Sequence, residues 1–100
     1  MEQYELTELL IAQQQQDYTL HFSSAQLVVV TELGSRLWYI DVNGIAETEL
    51  LESFSRSENI RIELQAVTAG GRRYEGIGYL HPNPAHQAAA IRGDGELAGF

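Results

Sequence analysis

Residues 60–80 read IRIELQAVTAGGRRYEGIGYL, and their pattern decides the class of fold. Ile60, Ile62 and Leu64 alternate with Arg61, Glu63 and Gln65, the period of a strand with one face in a core and the other in water. Ala66–Ala69 continues the strand. Gly70-Gly71 follows, two residues that accept the positive φ of a tight hairpin turn. The chain returns over Arg72–Leu80, with Tyr74, Gly76 and Gly78 on one face and Arg73, Glu75, Ile77 and Tyr79 on the other.

Working outward from this hairpin, the segment before it is helical. Glu47–Ser55 places Leu50, Leu51 and Phe54 on one face. Glu47, Glu49 and Glu52 lie toward its N-terminal half, where the helix dipole favours carboxylates, and Arg56 lies near its C-terminus. Asn43-Gly44 is a turn that separates this helix from a second hairpin over residues 26–42, built from Gln26–Thr31 and Leu37–Val42 around Gly34-Ser35. Trp38, Ile40 and Val42 share one face of it, and Leu37, Tyr39 and Asp41 the other. Tyr18, Leu20 and Phe22 alternate as a half-buried strand.

Residues 4–16 fit two periods. Leu6, Leu9 and Leu10 follow helical spacing, with Thr7 as an N-cap; Tyr4, Leu6, Glu8 and Leu10 alternate as a strand would. The helical spacing is preferred, and Gln13–Gln16 reads as a solvated turn of that helix or a linker. Beyond the 60–80 hairpin, His81–His86 is a Pro-containing loop and Ala88–Phe100 a last strand carrying Gly93, Gly95 and Gly99.

These elements predict a single α+β domain over residues 1–100: a curved, mostly antiparallel sheet of five to six strands with one or two short helices packed on it. The expected core is Leu20, Phe22, Leu27, Val29, Trp38, Ile40, Leu50, Phe54, Ile60, Ile62, Leu64, Ile77 and Ile91.

Composition bounds the function. Hydrophobic residues make up 44% of the 100-residue chain, a folding composition. There is no cysteine, which excludes disulfides, thiol catalysis and thiolate metal sites and fits a reducing cytoplasm. Fourteen acidic residues face six arginines and no lysine, for a formal net charge of −8. That balance opposes nucleic-acid binding, whose affinity comes largely from Lys and Arg on phosphates, and binding to anionic membranes. A nucleic-acid site would require Arg61, Arg72, Arg73 and Arg92 to gather on one face without intervening carboxylates. The longest apolar run, Leu27–Val30, is too short to cross a bilayer.

Few residues suggest chemistry. His81 and His86 are weak metal candidates, because two imidazoles on one loop leave a metal short of its three or four ligands. The same loop with a carboxylate is the alternative reading, a small hydrolase-like or metal-dependent enzyme. Asp41-Val42-Asn43-Gly44 opens like a calcium loop, but its glycine and its third ligand are misplaced. Gly76-Ile77-Gly78 and Gly93-Asp94-Gly95 lack the helix a phosphate-binding turn needs, and fit sharp bending or close approach in a small barrel or strongly coiled sheet. Arg72, Arg73, Tyr74 and Tyr79 are the candidate interaction residues, with Glu63 and Glu75 expected to pair across strands with the arginines.

The C-terminal pattern GRRYEGIGYL…AAIRGDGELAGF resembles small proteins from phage and prophage regions, and the resemblance carries no functional residue over. The sequence points to a non-enzymatic protein-interaction or assembly module. It would act without a cofactor through a protein partner or self-association, by a sheet edge or exposed aromatics, with neither nucleic acid nor membrane as partner.

Overall fold

In the computed structural model, which describes residues 1–99, strands account for 66% of the described residues, which also hold one α-helix. The strands are β1 (Glu2–Gln13), β2 (Gln16–Leu20), β3 (Ser24–Glu32), β4 (Ser35–Asn43), β5 (Arg61–Thr68), β6 (Arg73–Asn83) and β7 (Ala88–Ala98). Helix α1 (Thr48–Arg56) lies between β4 and β5, and a single 3-10 turn, Pro84–His86, joins β6 to β7. Phe100, which the sequence places at the end of the last strand, lies outside the described residues.

The sheet does not stay open. Its order is β1-β3-β4-β7-β6-β5, and β5 pairs back onto β1 through Leu6–Ala12 and Glu63–Thr68. All pairings are antiparallel. The result is a closed six-stranded barrel with β2 as an extra arm on β1, nearly all-β. This corrects the expected α+β class and its open curved sheet. Closure removes the sheet's two edges, so the hydrogen-bonding groups of β1 and β5 satisfy one another.

The N-terminal segment is the second correction. Residues 4–16 are strand and hairpin, not helix. A bulge between Leu6 and Glu8 adds one residue to β1, so the inward positions run Leu6, Leu9, Ile11 and are all buried. The bulge stretches one period of two into three, and Leu6 and Leu9 acquire the spacing of a helical stripe. Gln14 and Gln15 form the two-residue β1–β2 turn, both with positive φ (53° and 66°).

Interior residues come from every wall. Leu9, Leu27, Ile40, Ile91 and Tyr74 are wholly buried, and Leu51 and Phe54 of α1 join the same core. Of the expected core residues, Phe22, Leu50 and Ile60 are partly buried against it. Ile77 is a correction, standing half-exposed on the outside of β6, while Tyr74, Gly76 and Gly78 line the inside. The glycine face of β6 is the inner one because Trp38 fills it. A Cβ at Gly93 would overlap the Trp38 indole, and one at Gly76 would stand 2.8 Å from Leu97 and 3.0 Å from Trp38. The Trp38 Nε1–H donates to the Gly95 carbonyl at 3.0 Å. Close approach around a bulky side chain is thus what these glycines provide. Among the described residues no helix is long and apolar enough to cross a membrane.

Candidate functional site

Strand register fixes what the outer surface displays. Arg61 of β5 is opposite Tyr79 of β6, Tyr79 is opposite Arg92 of β7, and Arg92 is opposite Tyr39 of β4. Side chains directly opposite one another share a face, so these four form one outward row of alternating Arg and Tyr across four strands. Arg61 and Arg92 are exposed, Tyr79 is half-buried and Tyr39 is 38% exposed. Tyr79 donates its hydroxyl to Asp94 Oδ2 at 3.1 Å, which holds the ring against β7. Leu37, two residues before Tyr39, is 57% exposed. The row collects guanidinium and phenol groups, the side chains that supply most binding energy at protein interfaces.

The other sequence candidates scatter. Tyr79 belongs to the row. Arg73 lies on the same outer side of β6 but six residues away, with Glu75 and Ile77 between them. Tyr74 is 0% exposed and points into the barrel, so it offers no surface to a partner; this corrects its expected interaction role. The nearby Arg72 Nη1 donates to the Tyr74 hydroxyl at 3.4 Å. Tyr4 tilts against Tyr74 with ring centroids 5.9 Å apart and donates its own hydroxyl to Glu2. That hydrogen bond to Glu2, followed by partial burial and the Glu2 charge, holds the Tyr4 phenol above its ordinary pKa. The Arg72 guanidinium is likewise raised, chiefly by its hydrogen bond with Tyr74.

The expected cross-strand pairing of arginines with Glu63 and Glu75 is not what the register provides. Glu63 is opposite Ile77, Glu75 is opposite Gln65, and Arg73 is opposite Val67. Nor do the four arginines make a common basic stripe. Arg61 and Arg92 share a row, and Glu63, Asp94 and Glu75 lie between that row and Arg73.

His81 is exposed within β6, opposite Ala90, and His86 is exposed on the 3-10 turn with Nδ1 3.2 Å from Asn83 Oδ1. The segment 81–83 is strand rather than loop. Pro82 is tolerated there because the paired register of β5 stops at Tyr79, leaving β6 a partner only in β7. Among the described residues no three His, Asp or Glu side chains converge as a metal site would require. The remaining imidazole, His21, is tied to the helix start: its backbone N–H donates to Glu47 Oε1 at 2.7 Å and its Nδ1 lies 2.8 Å from Glu47 Oε2.

Two concave regions flank the row. β4 and β7 pair only from Tyr39–Val42 and then separate, leaving a cleft of about 700 Å³ beside Trp38, Gly95 and Leu97. A shallower groove of about 410 Å³ runs over β1, β5 and β6, with Leu10 and Ile77 flanked by Asp17, Glu63 and Glu75. The molecule is therefore a closed antiparallel β-barrel whose most chemically distinctive exposed feature is an Arg–Tyr row. Compared with known proteins, the chain matches no protein-family model, no curated protein and no solved structure.

The row could not be found from spacing along the chain. Its members sit at positions 39, 61, 79 and 92, and only the register of three strand pairs aligns them. The one local signal was the outward phase of each residue within its own strand.

Proposed function

We propose that this chain is a non-enzymatic protein-interaction or assembly module that docks a protein partner through the outer face of β5, β6, β7 and β4. The observation that carries the proposal is the single-register row Arg61–Tyr79–Arg92–Tyr39. Tyrosine offers a large, rigid contact area at low entropic cost, and arginine offers a planar donor fork that tolerates desolvation. Acidic residues border the row on both sides, with Glu63 and Asp94 along one flank and Asp41 along the other. A phosphate backbone would meet those carboxylates; a protein surface with its own basic and apolar groups would not be repelled. The cysteine-free composition suits work in the cytoplasm.

The test is capture with the intact chain from its native cell, comparing the unmodified protein with Arg92→Glu and Tyr79→Ser. Both substitutions are on the barrel exterior. The expected result is a discrete bound protein, this chain itself included, that both variants lose while keeping their β-type circular dichroism. Equal retention by both variants contradicts this face as the docking surface.

A further inference from the structure

The row just described has a complementary neighbour. Two residues further along each strand, toward the end that carries the β3–β4 and β5–β6 turns, stand Glu63, Ile77, Asp94 and Leu37. Glu63 is opposite Ile77 and Ile77 is opposite Asp94. Leu37 lies where β4 has parted from β7. Column by column the two rows read Arg61 beside Glu63 on β5, Tyr79 beside Ile77 on β6, Arg92 beside Asp94 on β7, and Tyr39 beside Leu37 on β4. Each cation has an anion next to it, and each aromatic an aliphatic side chain.

This arrangement is what a two-fold contact requires. An axis lying in the contact plane between the rows, perpendicular to the strands, swaps one row with the other. On the two central columns, Tyr79 of one copy then meets Ile77 of the second and Arg92 meets Asp94. All of these contacts occur twice, as in any isologous interface. We propose that the outer face of β6 and β7 packs against the same face of a second copy of this chain about such an axis. The proposal rests on the reading of this face as an interaction surface and names its occupant.

Charge supports a second copy. The four ionic residues of the two rows are two arginines and two carboxylates, so the face is locally neutral on a chain of net charge −8. Two copies can therefore meet here with their excess negative charge directed elsewhere. Within one chain, neither Arg61 nor Arg92 has a carboxylate within 4.0 Å among the described residues. Shape sets the strength. Strands lie about 4.8 Å apart, so the four columns span roughly 14 Å of a curved wall. Six strands close the barrel, so the wall turns by about 60° from one strand to the next; the central columns, β6 and β7, make the contact, and β5 and β4 curve away from it on either side. Ile77, Tyr79, Arg92 and Asp94 of each copy form its centre, a contact at the small end of specific interfaces. A contact this small is expected to associate weakly, so the test is made at high concentration.

Analytical ultracentrifugation at high micromolar concentration tests this with the full chain. The unmodified protein is expected to sediment as a dimer. Arg92→Glu alone and Asp94→Arg alone each put like charges face to face twice, and each is expected to weaken association at least tenfold and run as a monomer. Mixed in equal amounts, the two variants are expected to restore the dimer, because each residue at 92 then meets the opposite sign at 94 of the other copy. Recovery on mixing also shows that both variants are folded. A monomeric unmodified protein, a dimer indifferent to either reversal, or a mixture that stays monomeric overturns the proposal. If the unmodified protein is monomeric but loses a different bound protein on Arg92→Glu, the dimer fails and the docking face stands. If no bound protein depends on Arg92, both fail.

Discussion

The inner and outer faces of β4, β6 and β7 are made by the same residues in alternation, yet they answer different demands. Inside, Trp38 lies over Gly93 and Gly76, and the wall has no room for another carbon. Outside, one residue away on each strand, Tyr39, Arg92 and Ile77 stand at least partly in solvent. The inner face is set by volume, so its residues are tightly constrained by their neighbours across the barrel. The outer face is set by charge and shape toward something else. Strand period keeps the two apart, so a substitution at one position should touch stability or association but not both.

Breaking the inner face should have the largest effect. Trp38→Ala removes the side chain that fills the space over two glycines, and a loss of about 3–5 kcal/mol is expected in urea unfolding. Gly93→Ala drives a methyl into the same indole and should cost about 1–3 kcal/mol or more. Arg92→Glu, the adjacent residue on the outside, should change stability by no more than about 0.5 kcal/mol. Equal losses at 92 and 93 would contradict the separation of faces.

A second pair sharpens the same contrast on β1. Leu9 is wholly buried and Leu10 is 36% exposed. Leu9→Ala should cost about 2–5 kcal/mol and Leu10→Ala well under about 1 kcal/mol. A helix over this segment would instead put both leucines on one apolar face, with comparable losses.

The smallest effect concerns Tyr4, near the start of β1. The Tyr4 phenol is held above its ordinary pKa, first by its hydrogen bond to Glu2. A group whose folded pKa is raised stabilises the fold fully below its unfolded pKa, about 10 for tyrosine, and that contribution fades as pH rises through the folded value. Ultraviolet titration of the folded protein should lose a late-ionising component in Tyr4→Phe. The alkaline fall in stability above pH of about 10 should be shallower in that variant. An unchanged titration curve would contradict the hydrogen bond.

The sequence was most legible where pattern and structure share a period. The 61–80 hairpin, with Ile62 and Leu64 inward and Gly70-Gly71 at its turn, follows directly from alternation. So does α1, whose Leu51 and Phe54 are buried as their spacing requires. Where one residue breaks the period, the reading changes class: the bulge beside Thr7 turns a strand into an apparent helix. On β6 the faces are the reverse of the expectation: Ile77 stands outside and Tyr74, with Gly76 and Gly78, inside. The volume that decides the matter belongs to Trp38, far away in sequence. Closure of the barrel lies further from view still, since it depends on Leu6–Ala12 meeting Glu63–Thr68. The same holds for the candidate site. Tyr79 could be singled out from its own strand, but its alignment with Arg61, Arg92 and Tyr39 is a property of three strand registers.

The Arg–Tyr row and its acidic and aliphatic neighbour are proposed to bind a second copy of the chain. Backbone amide resonances followed by NMR from dilute to concentrated protein test this residue by residue. The expected result is a set of concentration-dependent shifts confined to Ile77–Tyr79, Arg92–Asp94 and their neighbours Arg61, Glu63, Leu37 and Tyr39, with β2 and α1 unchanged. Shifts centred on β2, on α1 or on the Trp38 cleft, or spectra that do not change with concentration, would contradict it.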